Sequence, residues 1–388
     1  MHTQTNRRDF LATTAGLAAG SLVLGSAAAG CAAELKRLDP PKLTLITGSP
    51  RERGKQYGST FKSEIQAFLD RELYRSFVVP STSDKLPRYE KDKLLGYAAD
   101  CGTAIGKYSP TIHDELVGMA EGAGIRMDEA VLITLHEELG HRGVLPKIEH
   151  CTAVAVGPPD TRDGHTFVGQ TWDWMKSVAG LSNVLHWKRT EGPSVLAYAY
   201  PGLWLGAGMN SAGLAGCWTS AAFRQEASGP HVGIPSYVLL THLLYQESID
   251  AVASEARRAT PCGWFTFVLG DSRGRLLNVE GSPQQVAVEE HRGRLARVMY
   301  GSRQMTGTPP GEPVKLYKRC ETMYKLLGQG KVDRQILASY FSTPDLGICV
   351  GNSTLDMMIF DATERAAYVS RGPSYGADWK RFTFDDAV

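Results

Sequence analysis

The sequence lacks an excess of charge of either sign, and it has no block rich in lysine or arginine. Its 388 residues include 42 Lys and Arg against 41 Asp and Glu, which gives a formal charge of +1. Residues 1–33 carry Arg7, Arg8 and Asp9 and account for that excess. Because nucleic acids and anionic membranes are bound through basic surfaces, the neutral remainder is predicted to bind neither.

The sequence also lacks the spacings of a zinc site or of a disulfide framework. Its seven cysteines are scattered singly, at positions 31, 101, 151, 217, 262, 320 and 349. The stretch from His136 to His141 resembles a zinc-binding helix, but its second histidine comes one residue too late to share a face with the first. We expect His165 to be a turn residue, most cysteines to be buried small apolar residues, and no metal or cofactor.

Biased composition is confined to the amino terminus. Arg7-Arg8 is followed by an uncharged stretch rich in alanine and glycine, from Thr13 to Gly30. This pattern is typical of a twin-arginine signal, although the run approaches the length of a membrane anchor. We interpret residues 1–33 as an export signal, and Cys31 could carry a lipid. The protein is then expected in the periplasm, either free or as a membrane-anchored lipoprotein.

Residues 34–150 are predicted to be mainly helical, because apolar residues recur there at helical spacing. Ser109-Pro110 has the composition of a helix start, and glycines follow at 122 and 124, where that helix is expected to end. The predicted elements are a strand at 43–48, a turn at 49–58, and helices over 59–76, 110–124 and 127–139.

The pattern changes at Cys151. Short runs rich in β-branched and aromatic residues follow, with Asp163-Gly164 and 271–274 as turns between strands. Strands are predicted at 152–156, 166–171, 195–200, 214–218, 264–269, 276–280, 355–360 and 366–370, and helices at 235–245, 249–258, 314–327 and 334–341. Strands and helices in this order predict antiparallel sheets covered by helices, an α+β layered domain.

Cys151 opens the first of these strands, and Asp173 lies on the strand predicted to pair with it. This arrangement is typical of an N-terminal nucleophile, in which cleavage at His150–Cys151 frees an α-amine. Because that amine has a pKa of about 7.7, it can take the proton of a thiol that is barely ionised at neutral pH. Residues 34–150 would then be the pro-segment of a zymogen, and residues 151–388 its catalytic chain.

The stretch from His150 to Trp174 resembles the cleavage site and following hairpin of the isopenicillin N acyltransferase family of N-terminal nucleophile hydrolases. Further segments resemble that family in the same order, namely Gly54–Gly58, Met119–Gly124, Met209–Leu214, Gly233–Tyr237 and Val279–Pro283. The resemblance implies a four-layer αββα sandwich. It also implies that Cys151 is the nucleophile in self-cleavage and acyl transfer, through a thioester, and that Asp173 is an active-site aspartate.

The sequence departs from the family at several positions. His150 stands where glycine is common, and asparagines expected near Thr219 and near Gly301-Ser302 are absent. The segment 350–355 lacks the arginine of the catalytic pocket. Since losing one oxyanion donor typically costs about 100- to 1,000-fold in rate, an active enzyme would need replacements.

Several polar and aromatic residues are candidates for stabilising the oxyanion and for binding the substrate. Oxyanion donors could come from backbone amides or from the side chains of Asn210, Thr219, Ser302 or Asn352, of which Asn210 and Thr219 are our catalytic candidates. The candidates for substrate binding are Thr152, Trp174, Trp218 and Ser282.

The sequence therefore predicts an exported, self-processing cysteine amidohydrolase or acyltransferase that acts on a small amide or N-acyl substrate. Hydrolysis is favoured over transfer, because water is always present outside the cell whereas acyl-CoA donors are not. Two alternatives stay open. One is a thiol hydrolase that remains a single chain and uses His150 or another histidine as base; the other is a catalytically inactive binding lipoprotein of the same fold.

Overall fold

The computed structural model describes residues 37–78, 89–140, 151–174, 176–221 and 231–386. The predicted export signal, Cys31 and His150 lie outside these residues. No helix in the described ranges is long and apolar enough to cross a membrane.

The described chain up to residue 140 is one strand followed by helices. The elements are β1 (Leu43–Ile46), α1 (Pro50–Thr60), α2 (Lys62–Phe68), a π-helical turn (Leu69–Tyr74), α3 (Arg75–Phe77), α4 (Lys91–Tyr108), α5 (Pro110–Ala123), α6 (Met127–Thr134) and α7 (His136–Gly140). The predicted strand at 43–48 and the three predicted helices are confirmed, and helix α4 is an addition to them. Helix α5 ends at Gly124, whose φ of 68° is a left-handed conformation that glycine adopts readily.

The turn predicted at 49–58 is wrong, because these residues form most of helix α1. Pro50 stands at the start of the helix, where its missing N–H costs no hydrogen bond. The Glu52 carboxylate accepts a bond of 2.8 Å from the Ser49 backbone N–H, which completes a capping box. These start signals outweigh the low helix propensity of two glycines.

The glycines of α1 serve a close contact between helices. A Cβ atom on Gly54 would lie 1.9 Å from a backbone oxygen of α5, and one on Gly58 would lie 2.3 Å from another. The contact is reciprocal, since a Cβ on Gly118 or Gly122 of α5 would lie 2.0 or 2.2 Å from backbone oxygens of α1. Both helices therefore carry glycine every fourth residue on the face where their backbones touch.

The rest of the chain builds two sheets. Its strands are β2 (Thr152–Val156), β3 (Phe167–Asp173), β4 (Asn183–Trp187), β5 (Val195–Tyr200), β6 (Leu203–Asn210), β7 (Leu214–Ser220), β8 (Phe265–Asp271), β9 (Arg275–Ser282), β10 (Gln285–Arg292), β11 (Arg294–Arg297), β12 (Thr354–Asp361), β13 (Ala366–Arg371) and β14 (Lys380–Thr383). One sheet has the order β1-β4-β5-β6-β7-β8-β9-β10, and the other β11-β2-β3-β12-β13-β14. All pairs are antiparallel except β1 with β4.

Helices cover the outer face of each sheet. They are α8 (Ser236–Leu244), α9 (Ile249–Arg258), α10 (Arg303–Thr306), α11 (Lys318–Leu327) and α12 (Arg334–Ser342). Helices α8 and α9 pack on the eight-stranded sheet, α11 and α12 pack on the six-stranded sheet, and strands β2 and β3 face β7 and β8 across the middle. The predicted α+β fold, a four-layer αββα sandwich, is confirmed.

A buried ion pair joins the N-terminal helices to the sheets. Arg53 of α1 donates a bond of 2.7 Å to Glu115 of α5, and neither side chain is exposed. Trp187 of β4 and Tyr245, just after α8, also donate to the Glu115 carboxylate, at 3.0 and 2.8 Å. Burial nevertheless raises the pKa of Glu115, against the opposing effect of Arg53. The network links segments on both sides of residue 150.

We expect Gly118→Ala to destabilise the protein by about 3 kcal/mol or more, because the added methyl group meets a backbone oxygen of α1 that cannot rotate away. The matched control is Gly96→Ala in α4, where a Cβ would have no neighbour within 4 Å. That variant should gain up to about 1 kcal/mol from helix propensity. Urea unfolding midpoints of the two variants measure the difference, and equal midpoints would contradict the close contact between α1 and α5.

Candidate functional site

Cys151 lies between the two sheets, at the end where β2 begins and β3 ends. Thr152 pairs with Thr171, and the Cys151 thiol faces the backbone oxygen of Asp173 with a sulfur–oxygen distance of 3.8 Å. From the other sheet, Thr219 of β7 donates a bond of 3.0 Å to the Cys151 carbonyl oxygen. Only 2% of Cys151 is exposed. The structure thus brings Cys151 together with Asp173 and Thr219.

The Cys151 thiol is protonated at neutral pH in the uncleaved chain. Burial raises its pKa well above the usual range, and the negative charge of Asp173 raises it further. The hydrogen bond to the backbone of Asp173 and the charge of Arg319 oppose this rise without reversing it. Since the thiolate is the nucleophilic form, this cysteine needs a base before it can react.

The carboxylate of Asp173 is buried and is held by two side chains from distant elements. Arg319 of α11 donates to one oxygen at 2.7 Å, and Thr354 of β12 donates to the other at 2.5 Å. The Val350 backbone N–H donates to the Thr354 hydroxyl at 2.8 Å and thereby orients it. The arginine beside Asp173 thus comes from α11, while segment 350–355 contributes the threonine.

Arg319 is the main residue that the sequence analysis missed. Its helix buries Cys320, Met323, Leu326 and Leu327. Arg319 lies four residues before Met323 and therefore on the buried side of the helix, and its own side chain is only 13% exposed. An arginine within the apolar stripe of an amphipathic helix was the signal available in the sequence.

Asn210 is not brought to Cys151, which corrects the prediction that it supplies an oxyanion donor. Its amide nitrogen donates to the backbone oxygens of Leu244 and Gln246 at 2.9 and 2.7 Å, and its amide oxygen accepts bonds from Ala212 and Leu214. Asn210 precedes the turn into β7, whereas Thr219 lies near the other end of that strand. Five residues of strand separate the two ends by about 17 Å.

The other candidate oxyanion donors either make hydrogen bonds elsewhere or lie at the surface. The hydroxyl of Thr219 has two carbonyl acceptors, Cys151 and Val298, so its proton is already committed. Ser302 donates its hydroxyl proton to the buried Glu280 at 2.6 Å. Asn352 is exposed in the loop before β12.

A narrow aromatic cavity lies between the two sheets, next to Trp218. It is lined by Gln170, Trp172, Tyr198, Tyr200, Gly206, Trp218 and Tyr237. Its volume of about 10 Å³ holds about one water molecule. The ring of Trp218, predicted to bind substrate, lies 5.3 Å from that of Tyr237, and its buried indole N–H has no acceptor among the residues that the structure describes.

The other predicted substrate-binding residues lie in different surroundings. Along β2, Ala153 packs between the sheets and Val154 packs toward the α11–α12 layer, so Thr152 faces that layer and not the cavity. Trp174 packs on Trp172, with ring centres 5.3 Å apart, and its buried indole N–H has no partner in the described ranges. The Ser282 hydroxyl accepts a bond of 3.3 Å in the β9–β10 turn and does not reach the cavity.

A buried acid from the N-terminal segment also borders this region. Tyr237, which lines the cavity, donates to Glu137 of α7 at 3.4 Å. Burial raises the pKa of Glu137 well above its usual range, which favours the neutral carboxylic acid at neutral pH. The Glu137 side chain therefore adds a buried polar group close to the aromatic wall.

His165 follows a turn at Gly164, as predicted, and its ring binds Asp361 with a distance of 2.7 Å. Together with Glu364 these side chains form a group with the spacing of metal ligands. However, Glu364 already pairs with Arg381 at 2.6 Å. The hydrogen bond that the His165 ring donates to the Asp361 carboxylate raises the pKa of His165, which favours an ion pair, and we assign the group no metal.

The six cysteines within the described ranges are all buried with free thiols, as predicted for most of them. Burial raises the pKa of Cys320 to about 12, and its thiol donates to the Ala296 carbonyl oxygen at 3.1 Å. Such a thiol behaves as a small apolar side chain.

The chain matches no protein-family model and no curated protein. Among solved structures, it resembles a variant of the conjugated bile acid hydrolase from Clostridium perfringens, with a TM-score of 0.41 and 14% identity over 60% of this chain and 97% of that one. It also resembles the penicillin V acylase from Agrobacterium tumefaciens, with a TM-score of 0.38 and 14% identity over 57% and 82% of the two chains. Because these identities and scores are low, we base the function on the site alone.

We expect Arg319→Met to destabilise the protein by about 3–5 kcal/mol, because it leaves the buried Asp173 carboxylate without its charged partner. The Arg319→Lys variant should lose less stability, since it retains a positive charge. Arg292→Met, at an exposed position of β10, is the control and should change stability by less than about 0.5 kcal/mol. Urea unfolding measures all three, and equal stability of the Arg319→Met and Arg292→Met variants would contradict the pairing with Asp173.

Proposed function

We propose that the protein is a self-processing cysteine amidohydrolase with Cys151 as its N-terminal nucleophile. The observation that carries this proposal is the buried thiol at the start of β2, in contact with an aspartate whose carboxylate is fixed by Arg319 and Thr354. A structural cysteine would not need a buried and paired charge beside it, since burying that charge costs several kcal/mol.

In self-cleavage, the Cys151 sulfur attacks the carbonyl carbon of His150. The peptide C–N bond breaks as the thioester forms, and the proton of the thiol ends on the nitrogen that becomes the α-amine. Water then hydrolyses the thioester, which leaves a carboxyl group on His150 and a free thiol on Cys151. The reaction consumes one water molecule and needs no cofactor.

Cleavage adds a base next to the Cys151 thiol. The nitrogen of residue 151 changes from a non-basic amide to an amine with a pKa of about 7.7, which can take the thiol proton. Arg319 and Thr354 hold the Asp173 carboxylate in place. We propose that its negative charge orients the new ammonium group beside the sulfur.

The mature thiolate then attacks the acyl carbonyl of the substrate amide. The amine leaves with a proton from the ammonium of Cys151, and water releases the acyl group from the thioester as a carboxylic acid. We propose that the aromatic cavity between the sheets binds the acyl group, so the favoured substrates carry an apolar, planar acyl chain. Because the cavity volume of about 10 Å³ has room for only about one water molecule, its side chains must move apart for an acyl group to bind.

We expect the purified wild-type protein to give two fragments that meet at His150–Cys151 and the Cys151→Ala variant to give one chain. Intact mass measurement under denaturing conditions separates these species. Cys151→Ser is the conservative companion, and it should cleave more slowly because a hydroxyl is a weaker nucleophile than a thiol. Amide hydrolysis, measured as release of amine, should be lost in the Cys151→Ala variant.

Other outcomes would point elsewhere. An uncleaved wild-type protein that still hydrolyses amides would favour a thiol hydrolase that uses a histidine as base. A folded, uncleaved protein that does not react with a thiol-directed acylating reagent would favour a binding protein.

We expect Trp218→Phe to lower kcat/KM about tenfold for substrates whose acyl group carries an oxygen acceptor, because the buried indole N–H would otherwise donate to that oxygen. Some stability should also be lost, because Trp218 is fully buried and phenylalanine fills less of its space, so kcat/KM is compared under conditions in which both variants are folded. Trp264→Phe, outside the cavity, is the control and should leave kcat/KM unchanged. Equal kcat/KM values for both variants would exclude Trp218 from substrate binding.

A further inference from the structure

Two buried cysteines from opposite sides of residue 150 lie in one contact region. Cys101 belongs to α4 in the N-terminal segment, and Cys262 lies in the loop between α9 and β8. Their exposed fractions are 0% and 1%. Neither takes part in the proposed acyl chemistry.

Backbone and side-chain bonds hold both cysteines against the same loop, at residues 231–234. Tyr97 lies one helical turn before Cys101 on the same face of α4, and its hydroxyl donates to the His231 carbonyl oxygen at 3.0 Å. The Cys262 backbone N–H donates to the Ile234 carbonyl oxygen at 3.1 Å. This loop therefore brings α4 and the loop of Cys262 together.

Within this region the two thiols are hydrogen-bonded to each other, and the bond lowers the pKa of Cys101. The backbone at Gly233 adds a second bond to the Cys101 sulfur. Burial instead raises the pKa of Cys262 well above its usual range. Cys101 is therefore the thiol of the pair that ionises first, which suits it to the first step of a thiol–disulfide exchange.

We infer that Cys101 and Cys262 form a disulfide that joins the segment before residue 150 to the segment after it. The sequence spacing gives no sign of this bond, because 161 positions separate the two residues along the chain. Contact in the folded state, and not spacing, is what a disulfide requires.

The oxidant is a disulfide of the glutathione or dithiol-oxidase class. The Cys101 thiolate attacks one sulfur of that oxidant, and the other sulfur leaves as a thiolate. The Cys262 thiolate then attacks the mixed disulfide at the Cys101 sulfur and releases the second oxidant thiolate. Overall, the protein loses two electrons and two protons, and the oxidant is reduced to two thiols.

If the chain also cleaves itself at His150–Cys151, the bond keeps its two fragments covalently linked. This consequence rests on the proposed function, whereas formation of the disulfide does not. Because Trp187 and Tyr245 already donate to the buried Glu115 carboxylate of α5, the disulfide would reinforce an existing interface.

The test is a peptide map of purified protein incubated with oxidised glutathione and then alkylated under denaturing conditions. We expect one linked pair of peptides that contain Cys101 and Cys262, and its disappearance after reduction. Cys101→Ala and Cys262→Ala should each abolish the linked pair, whereas the control Cys320→Ala should keep it. Full alkylation of both cysteines in the folded, oxidant-treated wild type would overturn the inference, and this arm requires no variant to fold.

Denaturing gel electrophoresis without reductant separates this inference from the proposed function. Cleaved wild-type protein should run as one band that splits in two when reductant is added, and cleaved Cys101→Ala should give two bands in both lanes. One band in every lane, reduced or not, would mean that self-cleavage had failed. The peptide map still decides on the disulfide in that case.

Discussion

The pairing of the buried Asp173 carboxylate is the interaction on which the candidate site depends. A desolvated charge is tolerated only with a charged partner and satisfied hydrogen bonds, and Arg319 and Thr354 supply these from α11 and β12. The same carboxylate lies at the end of β3, beside the start of β2. The environment of the Cys151 thiol therefore forms only when helix α11, strand β12 and the β2–β3 hairpin have packed together.

A second buried pair, Arg53 with Glu115, joins helices α1 and α5, and Trp187 of the eight-stranded sheet donates to the same Glu115 carboxylate. Around it, α1 and α5 pack with their backbones in contact at glycines. The N-terminal segment is thus part of the folded core, and it contributes Glu137 to the region of the cavity. A cut at His150–Cys151 would break the chain without breaking these contacts.

Sequence patterns correctly predicted the strands and helices that are determined by residues close together in the chain. Strand 152–156 and helix 249–258 have the predicted bounds, because their alternation or helical period is strong and their ends carry turn or capping residues. Residues 49–58, which are rich in charge and glycine, were predicted to be a turn, but Gly54 and Gly58 lie where α1 contacts the backbone of α5. Strands β6 and β10 were not among the predicted strands. β6 contains two glycines and β10 is a partly exposed edge strand, so neither has the continuous apolar pattern of a buried strand.

The sequence by itself determined that Cys151 opens a strand and that the following hairpin returns Asp173 toward it, since both depend on short-range pairing. Only the tertiary structure decided which distant residues join them. Arg319 lies 146 positions from Asp173, while Asn210 is committed to the end of α8. Thr152 is directed to the opposite face of its strand from Ala153. Periodicity shows which face of an element is buried, but the partner on that face depends on how the layers pack.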